Sequence, residues 1–164
     1  MPYKTMSVPA DMLALRTVEQ PVHITVPGTA QITVTGHTNA RFYQKVTVTD
    51  VANGKIYIFT GSGENETEMK VHGSEEKGPV LLDTLPSQPL HRTLTVLFEF
   101  SSQGEGSLEK SAVLMPRVQC EYNGLQHLKR MSWEITSEDG VDSDYNDAVI
   151  RIVADVDYKF NGAG

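Results

Sequence analysis

Apolar and polar residues alternate along this chain with a period of two. Val22, Ile24 and Val26 are separated by polar neighbours, and Ile32 with Val34, Val46 with Val48, and Ile56 with Ile58 repeat the pattern. Leu94, Val96 and Phe98 follow. In the last run Ile150, Ile152, Ala154, Val156, Tyr158 and Phe160 share one face, while Arg151, Asp155, Asp157 and Lys159 take the other. Alternation rich in Val, Ile and Thr predicts half-buried antiparallel strands. Turn signals punctuate the runs at Pro27-Gly28, Ala52-Asn53-Gly54, Gly104-Glu105-Gly106 and Asn123-Gly124. Residues 11–20 offer a short helix capped by Asp11, although Thr17 and Val18 suit a strand equally. The polar, acidic stretch 61–78 predicts a long loop or edge excursion. With no internal repeat and no dividing linker, the expected architecture is all-β: an antiparallel β-sandwich of Greek-key type, as one domain over residues 1–164.

Composition narrows the function. A formal charge of −7 over 164 residues, without a basic cluster, argues against nucleic acid as a partner. The single cysteine, Cys120, excludes an internal disulfide framework and is expected to be a small buried hydrophobe. No apolar run approaches a membrane span, so membrane insertion is not expected. The N-terminal stretch lacks a secretory signal pattern. The expectation is a protein cytoplasmic as synthesised, with non-classical export to the cell surface left open. Asn65-Glu66-Thr67 fits a glycosylation acceptor pattern, which is read as chance without such a signal.

One segment changes the picture. Residues 137–147, SEDGVDSDYND, place five carboxylates between Glu138 and Asp147. Two carboxylates about 6 Å apart repel by roughly 2–3 kcal/mol at an effective dielectric near 20. A folded loop holding several of them therefore favours a cation. Asp142, Asp144 and Asn146 alternate, so their oxygens converge if the backbone curls. The opening D-x-D-x-N is shared with the EF-hand, but that loop needs glycine next and a bidentate Glu at its twelfth position. Asp147 and Val153 stand there instead, and the EF-hand reading fails. Glu138, Asp142, Asp144, Asn146 and Asp147 remain a hard-oxygen set without His or Cys, which suits Ca2+ better than zinc or copper. Two neighbouring Ca2+ ions sharing Asp carboxylates would offset four of the five charges. The competing reading is a solvated acidic hairpin tip, and spacing alone leaves both open.

Beyond spacing, the string from Ser137 to Val149, running into a strand, resembles the signature of the two-calcium bacterial lectins, the LecB-like fucose/mannose-binding group, with Val141 and Ser143 as the differing positions. Val26-Pro27-Gly28 through His37-Thr38-Asn39 resembles that family's early hairpin, in a register that needs no gap. Residues 60–130 match loosely, and residues 1–22 look like an N-terminal extension. The resemblance implies a calcium-dependent lectin that binds mannose- and fucose-containing glycans through two Ca2+ ions per subunit. Glu138, Asp142, Asp144, Asn146 and Asp147 fall on the calcium ligands, and Asn39 takes the place of an Asn that ligates through its backbone oxygen. Ala40, Arg41 and Phe42 fall on the specificity loop, and Asp139 and Gly140 on the positions that contact sugar beside the metals. A small apolar residue at the first specificity position goes with mannose, so Ala40 leans that way. Gly164 takes the place of a C-terminal glycine whose carboxylate reaches a partner subunit's calcium, which implies a homodimer or higher homo-oligomer. The longer tail after Asp147 and the bulky Phe42 depart from the family pattern.

Two other classes compete. Acidic loops of this kind also resemble those of bacterial surface or matrix β-domains in which calcium is structural and no sugar enters. An enzyme would be a glycosidase using Glu138 with Asp142. Hydrolysis needs one carboxyl kept protonated, and a calcium-rich loop favours the ionised form, so no enzyme is expected. The histidines are scattered without ligand spacing; His37, nearest the loop residues, is expected on a hairpin surface. Trp133, two residues from Ile135, is expected in the core rather than as a sugar platform.

Overall fold

The computed structural model describes residues 17–72, 78–103, 106–138 and 147–156, and among these residues the regular structure is all β. The strands are β1 (Val22–Pro27), β2 (Gln31–Asp50), β3 (Ile56–Glu68), β4 (Lys70–Val71), β5 (Val80–Leu81), β6 (His91–Ser101), β7 (Glu109–Lys110), β8 (Ala112–Val113), β9 (Arg117–Tyr122), β10 (Leu128–Glu138) and β11 (Ala148–Asp155). The hydrogen-bonded order is β1-β6-β2-β11-β10-β8, with β3 and β5 also on β2, β4 on β3, β7 on β6 and β9 on β10. Every pairing is antiparallel.

The organising element is β2. Its first part pairs with β11, from Gln31↔Asp155 to Thr38↔Ala148. Its last part pairs with β6, from Tyr43↔Ser101 to Asp50↔Leu94. One strand therefore belongs to both layers of the sandwich, and it crosses between them around Ala40, where its register with β3 shifts on both sides. Even-numbered side chains face inward through most of its length: Ile32, Val34, Thr38, Ala40, Gln44, Val46 and Val48 are all buried. The two layers meet at Gly36. A Cβ there would lie 3.0 Å from Ile150 Cδ1, 3.0 Å from Met69 Sδ and 3.3 Å from Phe59 Cδ1. Ile150 comes from β11 and Phe59 from β3, so glycine lets side chains of both layers close over the strand. Leu94, Val96, Phe98, Trp133, Ile135 and Ile152 complete the same core.

The far end of β2 holds a buried ion pair. Arg92 donates from Nε to Asp50 Oδ2 at 3.1 Å, its second guanidinium contact is closer still, and both side chains are almost wholly removed from water. Asp50 Oδ1 also accepts the Ala52 N–H at 3.3 Å at the start of the turn into β3. Burying two charges carries a desolvation cost that only close pairing and further hydrogen bonds offset. Ahead of β1, Val18 donates its N–H to the Val113 carbonyl at 2.8 Å, and the Gln20 amide bridges the Phe98 N–H and the Ser111 carbonyl at 2.6 Å each. The described lead-in is thus tied to both layers.

Several expectations need correction. The predicted early hairpin does not form, because β6 lies between β1 and β2. Its failure removes His37 from a hairpin surface and places it mid-strand, opposite Val149. Of the two forms expected for 61–78, a long loop or an edge excursion, the described part takes the second, since β3 runs on to Glu68 and β4 follows beside it. Phe59, not Ile56 and Ile58, is the inward residue of β3, and Ile56 is 59 % exposed. The reason is the β2 register, which sets Val46 opposite Phe59 and so fixes which parity of β3 meets the core. Cys120 is exposed rather than buried, because it lies on β9, which among the described residues pairs only with β10 and is exposed at every residue. Trp133 is in the core, as expected. Residues 157–160 of the last predicted run lie outside the described residues. Among the described residues no helix is long and apolar enough to cross a membrane.

Closure of the layers over Gly36 is directly testable. Gly36→Val is expected to lower stability by about 1–3 kcal/mol through overpacking, read as a lower denaturant midpoint with an unchanged slope. An unmoved midpoint would show that the layers do not meet there.

Candidate functional site

Where the acidic segment begins, β10 ends and β11 starts, side by side with the middle of β2. Thr38 of β2 pairs with Ala148 of β11, and Ala148 pairs with Ser137 of β10. One residue beyond this row stand Asn39, Asp147 and Glu138. The Asn39 N–H donates to the Asp147 carbonyl at 2.9 Å, and the Asp147 N–H donates to the Ser137 carbonyl at 3.0 Å. The Ser137 hydroxyl donates to the Ala148 carbonyl at 3.3 Å. Glu138 is held on its other side by pairing with Ala112 of β8. Ser137↔Ala148 is therefore the last closed pair of a β10–β11 hairpin, and residues 138–147 are its connection. All five carboxylates of the acidic segment are confined to a link whose ends are one strand spacing apart, about 5 Å.

This end of the sandwich is polar and dry. Thr38, Thr136 and Ser137 are buried, and Glu138 and Asp147 are each only 4 % exposed. Carboxylates withdrawn from water to this degree are costly unless matched by hydrogen bonds or a cation. The donor chemistry fits a hard cation, since the groups brought together offer carboxylate and carbonyl oxygen without His or Cys. Asp139, Gly140, Asp142, Asp144, Asn146 and Gly164 lie outside the described residues. Among the described residues no three His, Cys, Asp or Glu side chains form a metal-sized cluster. The described share of the candidate centre is thus Glu138, Asp147 and Asn39. The Asn39 side-chain oxygen accepts the Glu66 N–H at 2.7 Å. That bond occupies the side chain and accords with a backbone role for Asn39.

The stretch expected to set specificity, residues 40–42, lies where β2 changes layer. Ala40 is buried and pairs with Gly63 of β3. The Arg41 side chain is 86 % exposed, and its Nε donates to Glu64 Oε1 at 3.1 Å. The Phe42 ring stacks on Phe100, with centroids 6.3 Å apart and an interplanar angle of 11°. One face of Phe42 is therefore taken by the protein itself. The Phe42 carbonyl accepts from Gln44 Nε2 at 3.3 Å. Sequence reasoning missed Gly63, Glu64, Glu66 and Thr67, which reach this stretch from β3. Nothing local signals them, because their proximity comes from pairing across more than twenty residues. Lys55, raised by its hydrogen bond and charge contact with Asp83, and Tyr57, raised chiefly by burial, belong instead to the β2–β3 turn and the start of β3.

Comparison with known proteins follows the same outline. Among solved structures, the Chromobacterium violaceum lectin CV2L, solved with alpha-methyl-fucoside, aligns with a TM-score of 0.55 at 18 % identity, covering 82 % of this chain and 96 % of that one. The Ralstonia solanacearum high-affinity mannose-binding lectin aligns with a TM-score of 0.55 at 22 % identity, covering 83 % and 96 %. The C-terminal domain of the BC2L-C lectin from Burkholderia cenocepacia gives 0.55 at 20 % identity, covering 83 % and 97 %. At these identities the likeness carries the fold. No curated protein matches the sequence. The family model for fucose-binding lectin II (PA-IIL) matches residues 24–155, from the second core residue of β1 to the last residue of β11. With far more than half of its length matched by that model, this chain belongs to the fucose-binding lectin II (PA-IIL) family.

Proposed function

We propose that this protein is a calcium-dependent lectin that binds mannose- or fucose-type monosaccharide units, acts by recognition rather than turnover, and works as a homodimer or higher homo-oligomer. The observation that carries the reading is the pair of buried carboxylate residues, Glu138 and Asp147, that closes the acidic connection beside Asn39. Glu138, Asp142, Asp144, Asn146 and Asp147, with the Asn39 backbone oxygen, would hold two Ca2+ ions. Gly164 of a neighbouring copy would add its terminal carboxylate. Bound calcium would offer open coordination positions that vicinal sugar hydroxyls fill. Asp139 and Gly140 would accept and donate hydrogen bonds at the sugar's edge, and Ala40, Arg41 and Phe42 would line its side. A monosaccharide has little apolar surface, so preorganised polar groups must supply the affinity that area cannot. The small side chain of Ala40 supports a preference for mannose.

One observation favours a different reading. Phe42 is committed to Phe100 and Arg41 to Glu64, so two of the three residues beside the proposed sugar position already serve the fold. In that reading calcium braces the β10–β11 connection of a surface or matrix domain, and no sugar enters.

One measurement separates these cases. Calorimetric titration of the calcium-loaded protein is expected to show saturable binding of D-mannose, weaker binding of L-fucose, and loss of both after chelation. Calcium binding without either sugar would favour the structural module.

Calcium itself should stabilise the fold by linkage, about 2.7 kcal/mol at a hundred times its dissociation constant. For a domain of this size that is roughly 5–10 °C in Tm. Asp147→Asn is expected to remove most of the calcium-induced shift. A wild-type Tm indifferent to calcium would remove the metal from the mechanism.

A further inference from the structure

The β2–β3 ladder breaks beside the specificity stretch in an uneven way. Ala40 pairs with Gly63 and Thr38 with Thr67, so two steps along β2 correspond to four along β3. The surplus residues of β3 form a tight bulge with positive φ at Gly63 (131°), Asn65 (65°) and Glu66 (54°). Asn tolerates this left-handed backbone, whereas for Glu66 it is unfavourable and persists only when surroundings hold it. Bulges bend a strand and re-aim its side chains, and the contacts here show where this one aims.

Each anchor of the bulge lands on β2. The Thr38 hydroxyl donates to the Gly63 carbonyl at 3.0 Å. The Glu66 N–H donates to Asn39 Oδ1 at 2.7 Å, and Arg41 Nε donates to Glu64 Oε1 at 3.1 Å. Within the bulge, the Thr67 hydroxyl donates to the Glu64 carbonyl at 2.8 Å and fixes the backbone that carries Glu64. Asn39 and Arg41, two residues apart on one strand, fall on the same side of it.

Arg41 is a long cation two residues from Asn39, which hydrogen-bonds to the closing residue of a five-carboxylate connection. A free guanidinium near such charge pairs with carboxylate in a bidentate fork. Glu64 opposes that by occupying Nε from the other strand, leaving the terminal nitrogens to donate elsewhere.

We propose that Glu64 is a positioning residue for sugar selection, holding the Arg41 guanidinium by its Nε on the β3 bulge so that its terminal nitrogens donate to the bound sugar. This rests on the lectin reading given above. Glu64 acts only through Arg41, and the pair is exposed, so its effect is modest and sensitive to salt.

The test compares wild type, Glu64→Gln, Arg41→Ala and the double variant by calorimetry with D-mannose, L-fucose and calcium alone. Glu64→Gln is expected to shift the mannose-to-fucose affinity ratio by about two- to fivefold, the scale of one exposed ion pair, without lowering the denaturant midpoint. In the Arg41→Ala background the same change is expected to do nothing further. Raising NaCl from about 0.05 M to about 0.5 M is expected to move wild type towards Glu64→Gln. A ratio unmoved by Glu64→Gln, or an effect that persists without Arg41, overturns the assignment while leaving the lectin intact. Wild type that binds calcium but neither sugar overturns the lectin reading, and this assignment with it.

Discussion

The backbone hydrogen bonds of β2 are shared between two layers, and the rest of the molecule is arranged around that sharing. From Gln31 to Thr38 the strand is tied to β11, and from Tyr43 to Asp50 to β6. A strand that serves two sheets must turn between them, and the turn falls on residues 40–42. The stretch proposed to face sugar is therefore the hinge of the sandwich itself rather than a loop laid upon it. Its neighbours on either side are fixed by ladder bonds to different strands, β11 and β6, which leaves little freedom to relax.

This placement stiffens the described part of the candidate site. Asn39 is bonded through its backbone to Asp147 and through its side chain to the β3 bulge. Glu138 and Asp147 emerge from the last closed pair of a hairpin whose strands are packed against the core. Groups held in this way lose little further freedom when a ligand arrives, and recognition of a small polar ligand depends on such preorganisation.

Much of the fold was legible because alternation reports directly on which side of a strand meets the core. Val22, Ile24, Ile32, Val34, Val46, Val48, Leu94, Val96, Phe98, Ile150 and Ile152 all point inward as their spacing implies. The reading failed where parity is decided by a partner. The inward residue of β3 is chosen by its register with β2, so Phe59 is buried and Ile56 is not. Cys120 was misread for a similar reason, since residue type suggests burial but an outer strand supplies nothing to bury it. The acidic connection and Asn39 were legible from a local string and its resemblance. Glu64 and Glu66 were not, because a polar, glycine-punctuated stretch reads as a loop until the strand it pairs with is known.

The buried Arg92–Asp50 pair bears on how such a sequence can drift. Losing either charge alone strands the other in a dry interior, at about 3–5 kcal/mol, a large share of a typical domain's margin. Replacing both together with apolar side chains of similar volume carries no such cost. The two positions are thus coupled energetically, although 42 residues separate them in the chain. Passage between the charged and the apolar solution requires either a compensated double change or a background stable enough to bear the intermediate.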